Sequence, residues 1–225
     1  MSQIERLKLF IGGEFITSET DKYTPVYDPS RGEVIAEAPC CTKAEVLAAV
    51  EAAKRAYPAW AATPVLKRVQ ILYHVRELMI QHMEELTYSV AREHGKVWAE
   101  AEGDVLKAKE GTEQAIAAPS LMMGESIMNA SSGYDTTLYR EPLGVFAGIV
   151  PFNFPAMIPM GWMTPICIAT GNTIVIKAAS MTPMTALKIA GLYKEAGLPA
   201  GVLNIVTCSR NEAEIFLRHP DVKGI

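Results

Sequence analysis

The sequence has few cysteines, and none has the spacing of a metal site. The four are Cys40, Cys41, Cys167 and Cys208, and no two form a CxxC pair. Adjacent cysteines also fit poorly in the disulfide framework of a secreted domain. Three histidines in the helical region lack further metal-ligating neighbours, so we predict no metal site. Because the amino terminus has no signal-type apolar core, a reducing compartment, the cytoplasm, is the simplest location.

The sequence also lacks an excess of charge of one sign. Lysine and arginine number 21 against 25 acidic residues, for a net charge of -4. This balance gives no electrostatic reason to expect nucleic acid or an anionic membrane as a partner. With 225 residues, 49% of them hydrophobic and 20% charged, the chain is predicted to be globular with a sizeable core.

Charge is absent altogether from residues 142–176. A span of this length without charge is typical of a transmembrane helix. Prolines interrupt it, however, and an interior proline removes a hydrogen bond and clashes with the preceding turn. The five prolines are Pro142, Pro151, Pro155, Pro159 and Pro165. The stretch is therefore predicted to be a buried strand followed by a buried, broken helix, and not a membrane span.

Residues 1–143 are predicted to be mainly helical after a short β entry. Apolar runs on both sides of Gly12-Gly13 indicate a hairpin. The sequence Thr42-Lys43-Ala44-Glu45 is a capping box, and Pro64 opens a second helix. Helical composition continues to about residue 118, and the polar, β-prone residues 134–140 indicate an exposed strand.

From residue 144 the sequence pattern changes from mainly helical to alternating strands and helices. Strands are predicted at 144–151, 172–177, 202–207 and 222–225, with helices between them at 156–170, 182–197 and 211–219. This alternation predicts an α/β fold with a parallel, doubly wound, Rossmann-like sheet. The last strand is only begun, which would leave the next crossover missing. We therefore expect the chain to be a fragment with an incomplete dinucleotide-binding sheet.

The polar residues of interest follow the first two of these strands. No GxGxxG follows any strand, but GIVPFNFP (148–155) lies at a strand's carboxyl end, where open α/β sheets bind ligands. The amide of Asn153 can donate to a developing oxyanion, an interaction worth roughly 3 kcal/mol, or it can simply close a turn between prolines. Lys177 ends the second strand and either faces the same crevice or is a solvated strand end.

Several stretches, spread over nearly the whole chain, share one family pattern. They are HGK…EAEGD (94–104), SLMMGE (120–125), YREPLGVFAGIVPFNFPAMIPM (139–160), GNTIVIK (171–177), GLPAGVLNIV (197–206) and HPDVKGI (219–225). The chain resembles the front part of an aldehyde dehydrogenase, and most closely the methylmalonate-semialdehyde dehydrogenase branch. This resemblance implies an NAD(P)-dependent oxidoreductase that acts on a small-molecule aldehyde.

The resemblance assigns a role to individual positions. Asn153 matches the asparagine that, with a backbone N–H, forms the oxyanion hole for the thiohemiacetal. Val150, Phe152 and Met181 fall where the family lines its cofactor site. Lys177 matches the lysine that hydrogen-bonds the adenosine ribose.

Three positions depart from the family pattern. Ser180 stands where a glutamate often accepts from the ribose 2′-hydroxyl. A carboxylate about 4 Å from a 2′-phosphate would cost several kcal/mol, so serine makes NADP plausible beside NAD. Lys107 stands where the branch uses an arginine for the substrate carboxylate, and it lacks the bidentate fork. One residue more than the pattern, placed at Gly161, should re-phase the helix or add a bulge.

The nucleophilic cysteine and the glutamate base of the family would lie beyond Ile225, and the cysteines present match neither. We therefore expect a fragment of a semialdehyde dehydrogenase, with water or CoA as acyl acceptor, that is inactive alone. The strand near residues 134–140 resembles the family's oligomerisation hairpin and implies a homo-oligomer, a dimer or tetramer. The alternatives are a non-catalytic nucleotide-binding or assembly module and an inert truncated product.

Overall fold

The computed structural model describes residues 4–225, which begin with short β-strands. The strands are β1 (Glu5–Arg6), β2 (Leu9–Ile11), β3 (Glu14–Ile16), β4 (Tyr23–Asp28) and β5 (Glu33–Pro39). Gly12 and Gly13 have φ values of 61° and 81°, which allow the tight turn, so the β2–β3 hairpin is confirmed. The sequence predicted only a short β entry, and the small three-stranded sheet β1-β5-β4 was not predicted.

The predicted helical region contains four long helices and one short one. They are α1 (Lys43–Ala61), α2 (Val65–Gln81), α3 (Met83–His94), α4 (Trp98–Ile116) and α5 (Ala118–Leu121). The capping box is confirmed, since Glu45 N–H donates to the Thr42 hydroxyl and Thr42 N–H donates to the Glu45 carboxylate at 2.7 Å. Gly95, with φ of 82°, ends α3 in the left-handed conformation that favours glycine.

A two-stranded hairpin stands apart from the packed body. It consists of β6 (Ser126–Ser131) and β7 (Tyr134–Thr137), which pair antiparallel, and every residue of both strands is exposed. The exposed strand predicted within residues 134–140 is confirmed. Its partner β6 was not predicted, because its composition shows no alternation of polar and apolar residues.

The main sheet has six strands in the order β11-β8-β9-β10-β2-β3. Strands β8 (Val145–Ile149), β9 (Thr173–Lys177), β10 (Leu203–Val206) and β11 (Val222–Gly224) are parallel, as predicted. The β2–β3 hairpin extends the sheet antiparallel through β10. The sheet therefore takes strands from both of the predicted parts, 1–143 and 144–225.

Both faces of the sheet are covered, which makes the fold doubly wound. Helices α1 and α8 (Arg210–Arg218) cover one face, where Val175 and Val206 pack with Phe216. Helix α7 (Met184–Glu195) packs on the other face, in the core around Ile176 and Ile205, and α2 packs in turn on α7. Alternate residues of each strand thus enter different halves of the core.

The uncharged stretch forms β8, a π-helix (Met157–Met163), α6 (Thr164–Ala169) and β9. Among the helices of residues 4–225 we find no candidate for a membrane span. The extra residue at Gly161 was predicted to re-phase the helix or add a bulge, and a π-helix, which has more residues per turn than an α-helix, spans this position. A Cβ on Gly161 would lie 2.6 Å from Ala108 Cα, and one on Gly111 would lie 2.3 Å from the Gly161 carbonyl oxygen. Two glycines thus allow α4 and the π-helix to touch.

Candidate active site

Three parallel strands end at one edge of the sheet, and the predicted site residues gather there. In the strand register, Lys177 of β9 is paired with Ile149 of β8 on one side and with Val206 of β10 on the other. Asn153 lies in the turn that follows β8, and Ser180 lies in the loop that follows β9. Lys177 and Ser180 are half-buried, while Asn153 is exposed. The structure therefore places these residues at the edge where open α/β sheets bind ligands.

The turn that carries Asn153 is tied to the loop after β9. Val150 N–H donates to the Lys177 carbonyl at 3.2 Å. The Thr182 hydroxyl donates to the Phe152 carbonyl at 3.2 Å. These two bonds fix the residues just before Asn153 against the end of β9 and the loop that follows it.

A buried ion pair holds the part of the same turn that follows Asn153. Asp104 on α4 accepts from Met157 N–H at 2.7 Å through one carboxylate oxygen and from the Lys96 ammonium at 3.2 Å through the other. The Lys96 ammonium also lies 4.0 Å from the centre of the Phe154 ring, a cation–π contact. The Asp104 side chain is fully buried and that of Lys96 is 10% exposed. We call the contacts of Lys96, Phe154, Asp104 and Met157 the turn clamp.

The residues expected to line a cofactor differ in exposure. Val150 is buried, whereas Phe152 and Met181 are 50% and 58% exposed. Phe152 stacks on His94 with ring centroids 6.2 Å apart, and Phe152, Met181 and His94 border a cavity of about 140 Å³. Burial lowers the pKa of His94, which favours a neutral ring against Phe152. Because ligand cavities are typically above about 300 Å³, this space alone cannot enclose a dinucleotide.

Lys107 lies on the exposed side of α4. Its ammonium forms an ion pair with Glu110 at 2.7 Å, and both side chains are largely in solvent. Exposed pairs of this kind contribute about 0–1 kcal/mol, so a substrate carboxylate could compete with Glu110. The role of Lys107 in substrate binding stays a prediction.

The amino terminus of α7 is occupied by a side chain of the protein itself. The buried carboxylate of Glu93 accepts from Met184 N–H at 2.7 Å and from Thr185 N–H at 2.9 Å. Free N–H groups at a helix start commonly bind phosphate, but here two of them are already satisfied. This finding agrees with the missing GxGxxG after the preceding strand.

Burial of the Glu93 carboxyl predicts a loss of stability between pH 5 and pH 7.5. Burial raises the pKa of Glu93 from 4.5 to about 7. The folded state holds the proton more tightly than the unfolded state, so its stabilising contribution is complete below pH 4.5 and is lost as pH rises through 7. Glu93→Gln lacks this titration.

The wild type should therefore lose up to about 3 kcal/mol of unfolding free energy relative to Glu93→Gln across this window. Urea unfolding of both proteins at a series of pH values measures the difference. Neighbouring groups such as His94 are present in both proteins, so their titration largely cancels. A difference that stays constant with pH contradicts the assignment.

Comparison with known proteins identifies the family. The sequence pattern described as the aldehyde dehydrogenase family matches residues 15–225. The chain belongs to the aldehyde dehydrogenase family. A malonate-semialdehyde dehydrogenase of Bacillus pumilus is 44% identical over 224 residues, covering 100% of this chain and 46% of that protein. The chain thus spans about half the length of this curated relative.

Solved structures of the family show the same fold. A candidate methylmalonate-semialdehyde dehydrogenase of Sinorhizobium meliloti, solved in complex with NAD, superposes with a TM-score of 0.95 at 37% identity. The superposition covers 99% of this chain and 45% of the Sinorhizobium chain. A methylmalonate-semialdehyde dehydrogenase of Oceanimonas doudoroffii superposes with a TM-score of 0.94 at 36% identity, covering 98% and 45%.

In this aldehyde dehydrogenase chain, the surroundings of three of the four cysteines are well defined. Cys167 donates to the carbonyl of Thr173, which begins β9, and therefore lies toward the opposite edge of the sheet. Burial raises its pKa to about 12. Cys208 follows β10, two strand spacings or about 10 Å from β8. Cys41 is buried against Cys208.

Proposed function

We propose that this chain supplies the NAD(P)-binding and oxyanion-stabilising part of a semialdehyde dehydrogenase. The observation that carries the proposal is the shared edge, where Asn153 and Lys177 follow adjacent parallel strands and the turn clamp fixes the first of them. The names of the relatives support a semialdehyde as substrate. In the complete enzyme, the amide of Asn153 donates to the aldehyde oxygen as negative charge develops on it.

The residues at the edge fit a nicotinamide dinucleotide. Lys177 and Ser180 are half-buried, so their polar atoms can reach a ribose in a partly desolvated place. Val150, Phe152 and Met181 supply apolar surface around them. The cofactor, when bound, accepts the hydride that leaves the substrate carbon. Because Ser180 carries no charge to repel a 2′-phosphate, NADP is accepted beside NAD, the ligand of the Sinorhizobium relative.

Aldehyde oxidation also needs a thiolate that attacks the carbonyl carbon. Cys167 lies toward the opposite end of the sheet from Asn153, where burial keeps its thiol protonated, and Cys208 follows β10, two strands from β8. We therefore propose that these 225 residues alone do not oxidise aldehydes. Assays of the complete dehydrogenase with and without CoA distinguish CoA from water as the acyl acceptor.

The β6–β7 hairpin favours self-association of the complete enzyme. Ile127, Met128 and Tyr134 on it are largely exposed, which is costly for apolar side chains of an ordered hairpin. An isolated two-stranded hairpin is also only marginally stable in water. A homo-oligomer, a dimer or tetramer, would cover these residues, and the same hairpin would serve a non-catalytic assembly module.

The free cysteines fit the cytoplasm as location.

Replacing Lys177 tests the cofactor site without requiring turnover. Lys177→Met is expected to weaken binding of both NADH and NADPH by about 10- to 100-fold, because a hydrogen bond from a charged donor is worth about 1.5–3 kcal/mol. Titrations followed by nicotinamide fluorescence on the full-length protein measure both dissociation constants. Lys67→Met, an exposed position on α2, is the matched control and should leave them unchanged. Equal affinities of Lys177→Met and wild type would refute the proposed site.

A further inference from the structure

The carboxyl end of α3 contacts both of the aromatic residues that flank Asn153. His94, the last residue of α3, stacks on Phe152, with ring centroids 6.2 Å apart and an angle of 25° between the ring planes. This separation lies in the range that aromatic pairs prefer. Two residues further on, the Lys96 ammonium lies 4.0 Å from the centre of the Phe154 ring. One short piece of chain therefore supports the residue before Asn153 and the residue after it.

The end of α3 is itself anchored on both sides of His94. The buried carboxylate of Glu93 accepts from the first N–H groups of α7 at 2.7 and 2.9 Å. The Lys96 ammonium donates to the buried carboxylate of Asp104 at 3.2 Å. Since both of its chain neighbours are held by buried polar groups, the backbone of His94 has a fixed position. A fixed residue of this kind can hold a neighbouring side chain in one orientation.

The small sheet β1-β5-β4 adjoins the same place. Tyr27 of β4 and Pro29, which follows β4, border the cavity of about 140 Å³ that His94 and Phe152 also border. A Cβ on Gly95 would lie 3.2 Å from Pro29 Cβ, so the chain just after His94 lies against the end of β4. The small sheet thus backs the end of α3.

The His94 ring acts through its face and not through its nitrogens. Both ring nitrogens are buried, and neither has a hydrogen-bond partner among residues 4–225. Burial lowers the pKa of His94, so the ring is neutral. The contact that remains for it is the stack on Phe152. A phenyl ring could make the same contact, and the adjoining cavity leaves room for its slightly larger size.

We propose that His94 is a positioning residue for the dehydrogenase reaction, because its ring holds Phe152 and thereby aligns the Asn153 amide with the developing oxyanion. This inference rests on the proposed function, since His94 acts through Asn153. The Thr182 hydroxyl holds the Phe152 carbonyl, and the stack holds the Phe152 ring, so both parts of the residue before Asn153 are fixed. A displacement of about 1 Å in a reacting group can cost about 100-fold in rate.

Single-turnover rates of the complete dehydrogenase, at saturating NAD and malonate semialdehyde, test this role. His94→Ala is expected to lower the rate by about 10- to 100-fold while the dissociation constant of NADH changes little. His94→Phe restores the ring face and should react within about twofold of wild type. His74→Ala, at an exposed position on α2, is the matched control and should react like wild type. Where His94→Ala does not fold, His94→Leu fills the space without a flat ring, and the same loss is expected.

A double variant separates positioning from a general structural role. In the Asn153→Ala background, His94→Ala should slow the reaction by no more than about twofold further, because no amide remains to be aligned. Losses that multiply in the double variant, or a His94→Phe rate as low as that of His94→Ala, overturn the inference. A wild-type rate for His94→Ala beside a slow Asn153→Ala overturns it while the proposed function stands. A wild-type rate for Asn153→Ala overturns both.

Discussion

Asp104→Ala is expected to lower the free energy of unfolding by about 3–5 kcal/mol, because it leaves a largely buried lysine without its partner. Asp104 is fully buried and holds both Lys96 and the N–H of Met157. Its loss removes two hydrogen bonds and leaves the Lys96 ammonium in an apolar setting beside Phe154. Part of the effect should also appear as greater mobility of the turn that carries Asn153.

Chemical denaturation of Asp104→Ala beside wild type measures this effect. Asp21→Ala, at an exposed position, is the matched control and should change stability by less than about 0.5 kcal/mol. The double variant Lys96→Met with Asp104→Asn should lose less than the sum of its single changes, because no buried charge remains unpaired. A loss below about 1 kcal/mol for Asp104→Ala would mean that the turn clamp contributes no more than a surface pair does.

Asn153→Ala is expected to lower the turnover number of the complete dehydrogenase by about 100- to 1,000-fold. The amide donates to charge that exists only as the reaction proceeds, so its removal affects kcat more than substrate affinity. The Asn153 side chain is exposed to solvent in the structure of residues 4–225. An oxyanion donor acts strongly only when water is excluded. The full effect therefore requires that water be excluded from this edge during the reaction.

Local patterns in the sequence were enough to predict the parallel sheet and several helix starts. The run of residues 144–151 is apolar without interruption, as a strand covered on both faces must be, and it forms β8. Thr42 and Glu45 interact over three residues, so their capping box is legible in the sequence. Comparison with the family pattern predicted that one extra residue at Gly161 re-phases the helix or adds a bulge, and a π-helix spans that position.

Contacts between distant residues could not be predicted in the same way. Glu93 caps α7 from 91 residues away, and no local pattern links it to Met184. Asp104 reaches Met157 across 53 residues, although Lys96 and Asp104 lie in a stretch that matched the family pattern. The sheet β1-β5-β4 was not predicted, because β1 has only two residues, too few to show an alternation of polar and apolar side chains, and β4 contains a proline. Asn153 and Lys177 do lie at the carboxyl ends of adjacent strands, but their role as a site stays a prediction, and the contacts that fix them depend on tertiary packing.

In the proposed function, the turn after β8 stabilises negative charge on the substrate oxygen. The most direct test is the single-turnover rate of nicotinamide reduction with malonate semialdehyde, measured for the complete dehydrogenase and its Asn153→Ala variant. Gln114→Ala, which removes an exposed amide from α4, is the control. The rate is expected to be about 100- to 1,000-fold lower for Asn153→Ala and unchanged for the control. Equal rates for Asn153→Ala and wild type, with both proteins folded and binding NADH alike, would contradict it.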